Sequence, residues 1–406
     1  MATQTLSNIS NYLKKFYIGP IREQLNNSSV LYFRLNKNDE DVSGQDLTAN
    51  IPLFYGRNQG VGWRSEGGTL PTHGRRLHSN STIAMAYLYG QVKVSGQAIR
   101  GSRDSSHAFA KVIDNEVRGM VEGLKIEMNR ACWGDGSGAL AQVTQATGSQ
   151  TAENFFTVDD ASRLEANMVI DMYTAKSGGS QNIDSKTISQ VDRRNNKISL
   201  TTTETITLSD YIFREDSRGL YAMGLEGIVD GADSQGNRIV SALQGITRSS
   251  NIWWDANVID NNGTNEDMTL DKIQQAYELG EIIGQGRTSL IMSPYALRRA
   301  YVDLMIIDRR YVKDLKLDGG FSAVEYSGGG EPVPWVVDYM APANTLWFLD
   351  EKTLAFYRAS DMDWMDLDGA VLRKVDSKDE YEATAYAYMN LGCSACNKNT
   401  VRRDLQ

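Results

Sequence analysis

The 406-residue sequence has little of what most enzymes and secreted proteins depend on, with three cysteines and three histidines. No stretch approaches the roughly 18 uninterrupted apolar residues that a membrane-spanning helix needs, so we expect no membrane span. The N-terminal residues have no apolar run after their lysines, and so no secretory-signal pattern. Together with the scarcity of cysteine, this predicts a protein that folds in a reducing cytoplasm.

The cysteines offer one candidate chemical site, Cys393-Ser-Ala-Cys396. Two cysteines at this spacing can form a redox pair or half of a zinc site. Zinc would need two further ligands, but Cys132 is isolated and the histidines are far away in the sequence. We therefore expect two reduced, inert thiols near a strand.

The histidines give no catalytic pattern either. His73 and His78 fall in a Gly-rich and Arg-rich segment, and no Gly-x-Ser-x-Gly motif or cysteine–histidine pairing accompanies them. We expect them to be solvated or to bond at an interface. No catalytic, cofactor-binding or metal-binding residues are predicted, and the chain is not expected to be an enzyme.

An acidic run, Asp361, Asp363, Asp366 and Asp368, raises the question of calcium. Its spacing lacks the glycine at the sixth position and the glutamate at the twelfth that an EF-hand loop requires. Apolar residues alternate with the aspartates, which favours an amphipathic edge facing solvent or a neighbour.

The charge balance excludes a general nucleic-acid-binding surface. Lysine plus arginine number 42 against 51 for aspartate plus glutamate, a net charge of −9. At this length, two or three domains with their own cores are expected.

The most informative segment predicts a two-stranded arm. Ile51–Tyr55 and Ile83–Ser95 are rich in β-branched and aromatic residues, and the Gly-rich and Arg-rich stretch between them has almost nothing to bury. If each leg held roughly 20 extended residues, the arm would project on the order of 60 Å. An isolated ribbon is marginal in water, so we expect another copy of the chain to support it.

The run His107–Trp133 is the clearest helical signal. Apolar residues recur at spacings of three and four, charged residues occupy the other face, and a Gly-rich segment follows. Asp104 or Ser105 is a candidate N-cap. The predicted product is one long helix attached to the base of the arm.

This order of elements resembles the major capsid proteins of tailed phages with the Hong Kong 97-type fold. Tyr12–Leu35 looks like that family's N-terminal arm, and Thr288–Ala300 like its apolar strand running into a helix opened by Ser-Pro. Tyr381–Leu391 resembles the strand that returns to the peripheral (P) domain. The resemblance implies an α+β fold with an N-arm (1–50), an extended loop or E-loop (51–100), a first P-domain segment with a spine helix (101–138), a small inserted all-β domain (139–218), an axial (A) domain (219–350) and a second P-domain segment (351–406).

The inserted domain is predicted from short β-like runs between Phe155 and Phe213, separated by turn signals. Their spacing suggests a small barrel or sandwich. Beyond it, Thr269 is predicted to cap a helix through Gly284, with Ile282 and Ile283 on its apolar side. The Gly-rich stretch 319–330 is predicted to be a flexible loop.

By resemblance, the chain would self-assemble into hexamers and pentamers that form an icosahedral shell around non-specifically packaged double-stranded DNA. A separate scaffolding protein, a portal and a decoration protein are the implied partners, with assembly in the host bacterial cytoplasm and a final place in the virion. Candidate contacts between subunits are four arginines and a tryptophan of the arm: Arg57, Trp63, Arg64, Arg75 and Arg76.

In some relatives a lysine of the E-loop forms a covalent cross-link to a neighbouring chain. The only lysine of this arm is Lys93, in a strand away from the tip, so we expect non-covalent lacing. Three alternatives remain: an encapsulin-like nanocompartment shell, a tail or other structural protein, and an α/β enzyme with a β-barrel appendage.

Overall fold

The structure, a computed structural model, describes residues 29–39, 41–43, 46–97, 106–145, 152–307, 314–316, 322–328, 331–366, 371 and 373–406. Most of the predicted N-arm and the candidate cap residues Asp104 and Ser105 lie outside these ranges. The α-helices are α1 Val30–Arg34, α2 Ser106–Trp133, α3 Leu225–Ile228, α4 Leu270–Gly284 and α5 Tyr295–Ile307. None of the described helices is long and apolar enough to cross a membrane.

Strands supply most of the regular structure, which makes this a mixed α+β fold, as the sequence predicts. In chain order they are β1 Asn36–Asn38, β2 Val42–Ser43, β3 Thr48–Gly56, β4 Leu77–Ala84, β5 Ala86–Ser95, β6 Ala139–Gln145, β7 Ala152–Val158, β8 Val169–Tyr173, β9 Gln181–Asp192, β10 Lys197–Thr205, β11 Tyr211–Arg214, β12 Ala242–Leu243, β13 Ile246–Thr247, β14 Asn257–Ile259, β15 Leu290–Ser293, β16 Asp314–Lys316, β17 Ser322–Tyr326, β18 Val333–Val337, β19 Leu346–Leu349, β20 Leu354–Trp364, β21 Arg373–Lys374, β22 Glu380–Cys393 and β23 Thr400–Arg402. Short 3₁₀ turns occupy Arg248–Ser250, Ile252–Trp254, Glu351–Thr353 and Cys396–Lys398.

The long helix α2 packs on a five-stranded sheet of β1, β20, β22, β21 and β5. The central strand β22 alternates along this stretch: Ala383, Ala385 and Ala387 are buried and the residues between them are not. Small side chains on this face let the helix approach closely, since residues of one parity share one face of a strand. The helix and the closing strand are both where the sequence predicts them.

The arm differs from its prediction in its second leg. β3 pairs with β4, Thr48 opposite Ala84 and Gly56 opposite Leu77, whereas β5 leaves the arm and pairs with β22 over its whole length. Leu77–Asn80 has few apolar residues, and its composition therefore predicts a loop. It is nevertheless the first half of strand β4, because β3 supplies partners for its backbone hydrogen bonds. With eight or nine residues in each leg, the ribbon is about 30 Å long, half the length expected.

The segment after α2 forms a closed barrel in the order β10-β7-β6-β11-β8-β9. The sequence prediction missed β6 and the first half of β9. Apolar side chains fill the barrel, among them Ile170, Ile188, Ile198 and Ile212, all fully buried. The barrel is therefore a packed body.

A seven-stranded sheet in the order β14-β23-β19-β15-β18-β17-β16 forms the third unit. Its strand β23 comes from the end of the chain and pairs with β14 and β19. The predicted closing segment 351–406 is therefore divided between two sheets. β17 lies inside the Gly-rich stretch predicted as loop and pairs with β18, because Val324 and Tyr326 are buried there.

Helix α4 begins as predicted, since the Thr269 side chain accepts a hydrogen bond from Lys272 N. The prediction for its far end is wrong: Ile282 is 72% exposed and Ile283 56% exposed. The buried face runs through Ile273, Tyr277, Gly280 and Gly284, and a period of 3.6 residues places the two isoleucines away from it.

Candidate assembly surface

The ribbon of the arm (residues 48–84) is anchored to its own chain near its base and at its distal end. Thr82 N donates to Gln244 O at 3.0 Å, and Ser81 Oγ lies 2.7 Å from the Gln244 side-chain amide. The Tyr55 ring stacks on Trp253 with centroids 4.3 Å apart. The ribbon therefore packs on the β12–β13 hairpin and the turn after it in its own chain, so it is not the isolated ribbon that the sequence predicts, and support of the tip by another copy stays a prediction.

The arm's tip (residues 57–76) has no regular structure, and its large apolar side chains face solvent. Trp63 is 100% exposed, Val61 85% and Leu70 80%. Three large apolar side chains are thus exposed on one irregular loop, which makes the tip a candidate contact surface.

The predicted arginines divide into two groups. Arg64 donates to Thr69 O at 2.8 Å and to Trp63 O at 3.0 Å, so it organises the tip. The Arg76 guanidinium lies 4.0 Å from the centre of the Phe54 ring. Arg57 and Arg75 are exposed, and neither forms an ion pair with a described residue. The structure thus brings the four arginines and Trp63 to one end of the arm, with two arginines already engaged there.

A second candidate surface, which we call the open face, lies on the side of the five-stranded sheet opposite α2. Its core is two directly opposed tyrosine pairs, Tyr89 with Tyr386 and Tyr87 with Tyr388. Ring centroids are 4.9 Å apart for Tyr87 and Tyr388, and 4.9 Å for Tyr386 and Tyr388. Tyr87 and Tyr89 are half exposed. Sequence reasoning missed this cluster, although the Tyr-x-Tyr repeat in both strands was a signal.

The open face also carries polar groups. Gln91 donates to Glu382 at 3.0 Å, and Lys93 lies 3.9 Å from the same carboxylate. A hydrogen bond with Tyr89 raises the pKa of Tyr388 to about 12, so the Tyr388 phenol is neutral at physiological pH. This surface offers aromatic rings, hydrogen-bonding groups and carboxylates, with Glu382 beside Gln91 and Lys93 and with Asp363 opposite Tyr386.

The structure places the three cysteines in the interior and two of the histidines on the surface of the arm. Cys132, Cys393 and Cys396 are free and buried, and burial raises the pKa of Cys396 well above its usual value. His73 and His78 are exposed on the arm.

The acidic run falls on β20 and just beyond it. Met362 and Trp364 point into the core and are 1% exposed, while Asp361 pairs with Arg358 at 3.3 Å. Within the described ranges, no group of three potential metal ligands occurs. Asp368 lies outside them.

No protein-family model matches the sequence, and no curated protein matches it. Among solved structures, the chain is similar to the "Cyanophage A-1(L) capsid asymmetric unit", with a TM-score of 0.52 and 14% identity over 91% of this chain and 90% of that one. Two weaker likenesses are to the capsid of an empty GTA particle (TM-score 0.49, 9% identity, 93% and 90% covered) and to the holo-SrpI encapsulin complex of Synechococcus elongatus PCC 7942 (TM-score 0.46, 8% identity, 100% and 97% covered). The chain has the fold of a phage capsid subunit, which confirms the resemblance seen in the sequence at the level of the fold.

Proposed function

We propose that this chain is the major capsid protein of a tailed phage, and that its copies form hexamers and pentamers of an icosahedral shell around double-stranded DNA. The observation that carries the proposal is the arm's tip: a capsid fold presents a loop whose Trp63 is fully exposed. An apolar tip on an anchored ribbon is costly in a monomer and useful in an assembly.

The three units correspond to the domains of a Hong Kong 97-type subunit. In this proposal the arm is the E-loop, α2 and the five-stranded sheet are the P domain, and the seven-stranded sheet belongs to the A domain. The barrel is an inserted domain on the shell. The segment before Leu35 is the N-arm.

The arm of one copy docks on the open face of a neighbouring copy. The tip carries four arginines, against the single carboxylate of Glu66, whereas the open face carries tyrosines around Glu382. Guanidinium groups stack on aromatic rings and pair with carboxylates, so the two surfaces are complementary. Each contact can be weak, because a closed shell repeats it many times.

The packaged DNA is held without sequence recognition, and the net charge of −9 keeps the lining from trapping a polyanion. A separate scaffolding protein, a portal and a decoration protein complete the assembly. The subunit is made in the cytoplasm of the host bacterium and ends in the virion.

The proposal is tested by expressing the chain and following its size by light scattering and negative-stain electron microscopy. Closed shells are expected, alone or with the product of a neighbouring scaffolding gene, and nucleic acid inside phage particles separates a capsid from a protein nanocompartment. Tubes would indicate a tail protein. A monodisperse monomer with every candidate scaffold overturns the proposal.

Leu70→Ser tests the arm directly, with Leu220→Ser as a matched control. Leu70 is 80% exposed on the tip, and Leu220 is 66% exposed outside the arm. Losing one desolvated leucine contact weakens an interface by about 1–2 kcal/mol, so L70S raises the subunit concentration needed for assembly by roughly tenfold. L220S leaves it unchanged. Equal effects of the two substitutions contradict a role for the tip.

A further inference from the structure

The ribbon of strands β3 and β4 lies with one face against its own chain. Ala49, Leu53, Ser81 and Ile83 are at most 3% exposed, whereas the residues between them are more exposed. Because alternate residues of a strand share one face, this face of the ribbon belongs to the protein interior. None of the tip residues 57–76 is buried. The tip is therefore the part of the arm that is free to contact a neighbour.

An aromatic contact holds the distal end of the ribbon. The Tyr55 ring stacks on the Trp253 ring, with centroids 4.3 Å apart and planes 10° apart. Tyr55 is the last residue but one of β3 and lies two residues before the tip. The stack thus fixes the ribbon at the point where the tip begins.

Trp253 is itself held by the body of the subunit. Its Nε1 donates to Asn251 Oδ1 at 3.2 Å, and its ring lies 5.6 Å from the ring of Trp254, which is 1% exposed. The turn before these two tryptophans begins at Arg248, whose fully buried guanidinium donates to Ile228 O at 2.8 Å. Buried contacts that do not involve the arm therefore set the position of the Trp253 ring.

The tip leaves the ribbon through a narrow neck, residues 57–60 and 72–76. A Cβ at Gly60 would lie 2.9 Å from Gly74 N, and a Cβ at Gly74 would lie 3.0 Å from Gly60 N, so the two sides approach more closely than side chains allow. Beyond the neck, Arg64 donates to Thr69 O at 2.8 Å and closes the loop. Because the neck is narrow and the loop is closed, the direction of the ribbon's end determines where Trp63 lies.

We propose that Trp253 is a positioning residue for assembly: by fixing Tyr55, it holds the tip of the unassembled subunit in the direction in which it docks on a second copy of the chain. A tip that already has its docked direction loses little conformational freedom on binding. If the ribbon's end is released, only a fraction of the subunits has the tip in that direction, and the apparent affinity falls by the same fraction. The consequence for assembly rests on the function proposed above, whereas the fixing of Tyr55 is a property of the single chain.

The first test is hydrogen exchange of the unassembled full-length subunit. Trp253→Ala removes the ring under Tyr55, so the amides of the distal pairs, Phe54 with His78 and Gly56 with Leu77, exchange about threefold to tenfold faster. The amides near the base of the ribbon keep their rates, which separates local release from general destabilisation.

Two matched variants control this measurement. Trp253→Phe keeps a ring in place and retains slow exchange at the distal pairs. Ile252→Ala removes a side chain that is 73% exposed on the same turn, and it also leaves the exchange unchanged. Exchange at the distal pairs that is as slow in W253A as in the natural sequence overturns the proposal.

Tyr55→Ala breaks the same stack from the side of the ribbon, without altering the body of the subunit. If the two rings act through their contact, the double variant Y55A/W253A exchanges no faster at the distal pairs than the faster single variant. Additive effects of the two substitutions would show that the rings act separately, and they overturn the proposal.

The positioning role is tested by the subunit concentration at which shells form. We expect this concentration to rise roughly tenfold for W253A and to return to the natural value for W253F. A released ribbon end with an unchanged concentration overturns the positioning role. A natural sequence that forms no shells with any scaffold overturns the function proposed above and the positioning role with it, whereas the exchange rates decide separately whether Trp253 fixes the ribbon's end.

Discussion

Asp135 and Lys176 form an ion pair at the junction between helix α2 and the barrel, with their charged atoms 2.6 Å apart and the Asp135 side chain 6% exposed. Burial alone would raise the pKa of Asp135, but the Lys176 ammonium and the hydrogen bonds from Ser137 outweigh it, so the pKa lies below the usual 3.8. A lowered folded-state pKa gives stability that is complete above 3.8 and is lost as the pH falls through the lower folded value.

Lys176→Met therefore has a pH-dependent effect. At about pH 7 it leaves Asp135 buried without its cation and lowers stability on the order of 1–2 kcal/mol. At about pH 3 much of the difference from the natural sequence disappears, because the unfolded chain is then largely protonated at Asp135 and the ion pair contributes less. The measurement is the thermal midpoint of the unassembled subunit at the two pH values.

Lys186→Met is the control, because the ion pair of Lys186 with Glu204 is more exposed to solvent. This substitution lowers the free energy of unfolding by less than about 1 kcal/mol. A difference for K176M that does not shrink in acid would contradict the ion pair.

Individual candidate residues were predicted from the sequence only in part. The arginines and Trp63 do lie together near the end of the arm, because they are close in the chain. The sequence could not show that Arg64 donates to the backbone or that the Arg76 guanidinium lies over the Phe54 ring. Both contacts depend on the conformation of the tip.

Among the elements, helix α2 and strand β5 approach each other closely at Gly90, which has no side chain to keep them apart. A Cβ at Gly90 would lie 3.0 Å from the Leu124 Cδ1 and Met120 Cγ atoms, whereas a Cβ at Gly123 on the exposed side of the helix would have no neighbour within 4 Å. The helix therefore packs closely on the sheet at Gly90. Gly123 has no such packing role, and it lowers the stability of the helix because glycine loses more conformational freedom on folding than other residues do.

Substituting the two glycines by alanine should have opposite effects. Gly90→Ala forces the helix and strand apart or shifts Leu124, and lowers the free energy of unfolding by about 1–3 kcal/mol. Gly123→Ala raises it by about 0.5–1 kcal/mol, because alanine favours the helix and meets nothing. Urea midpoints of the unassembled subunit measure both. A stabilising G90A would mean that the helix does not lie on β5 as described.

Local elements followed the sequence more closely than the sheets did. α2 and the cap at Thr269 were predicted because 3.6-residue periodicity and capping bonds are properties of neighbouring residues. Ile282 and Ile283 were predicted to lie on the buried side of α4 because they are apolar, but their angular positions on the helix place them on the exposed side. β4 was missed, since Leu77–Asn80 is held by pairing with β3 and not by its own apolar content.

For the whole molecule, the absence of a lysine from the arm's tip predicts that shells of the kind proposed above are held together without covalent links. Lys93 lies in β5 beside Glu382, within the five-stranded sheet. Shells boiled in denaturing detergent should therefore run as a single 45.1 kDa band. A ladder of larger species that persists under reducing conditions would show a covalent link between subunits and contradict non-covalent lacing.

The sequence by itself determined the long helix, the existence of a two-stranded ribbon and of a β-rich unit after α2, and the likeness to capsid subunits. All of these follow from neighbouring residues or from the order of segments. Only the tertiary structure decided which strands pair: β5 with β22, far apart in the chain, and β23 with the seven-stranded sheet. A two-residue alternation shows that a strand has a buried face, but it does not identify the strand beside it. The open face arises from the pairing of β5 with β22.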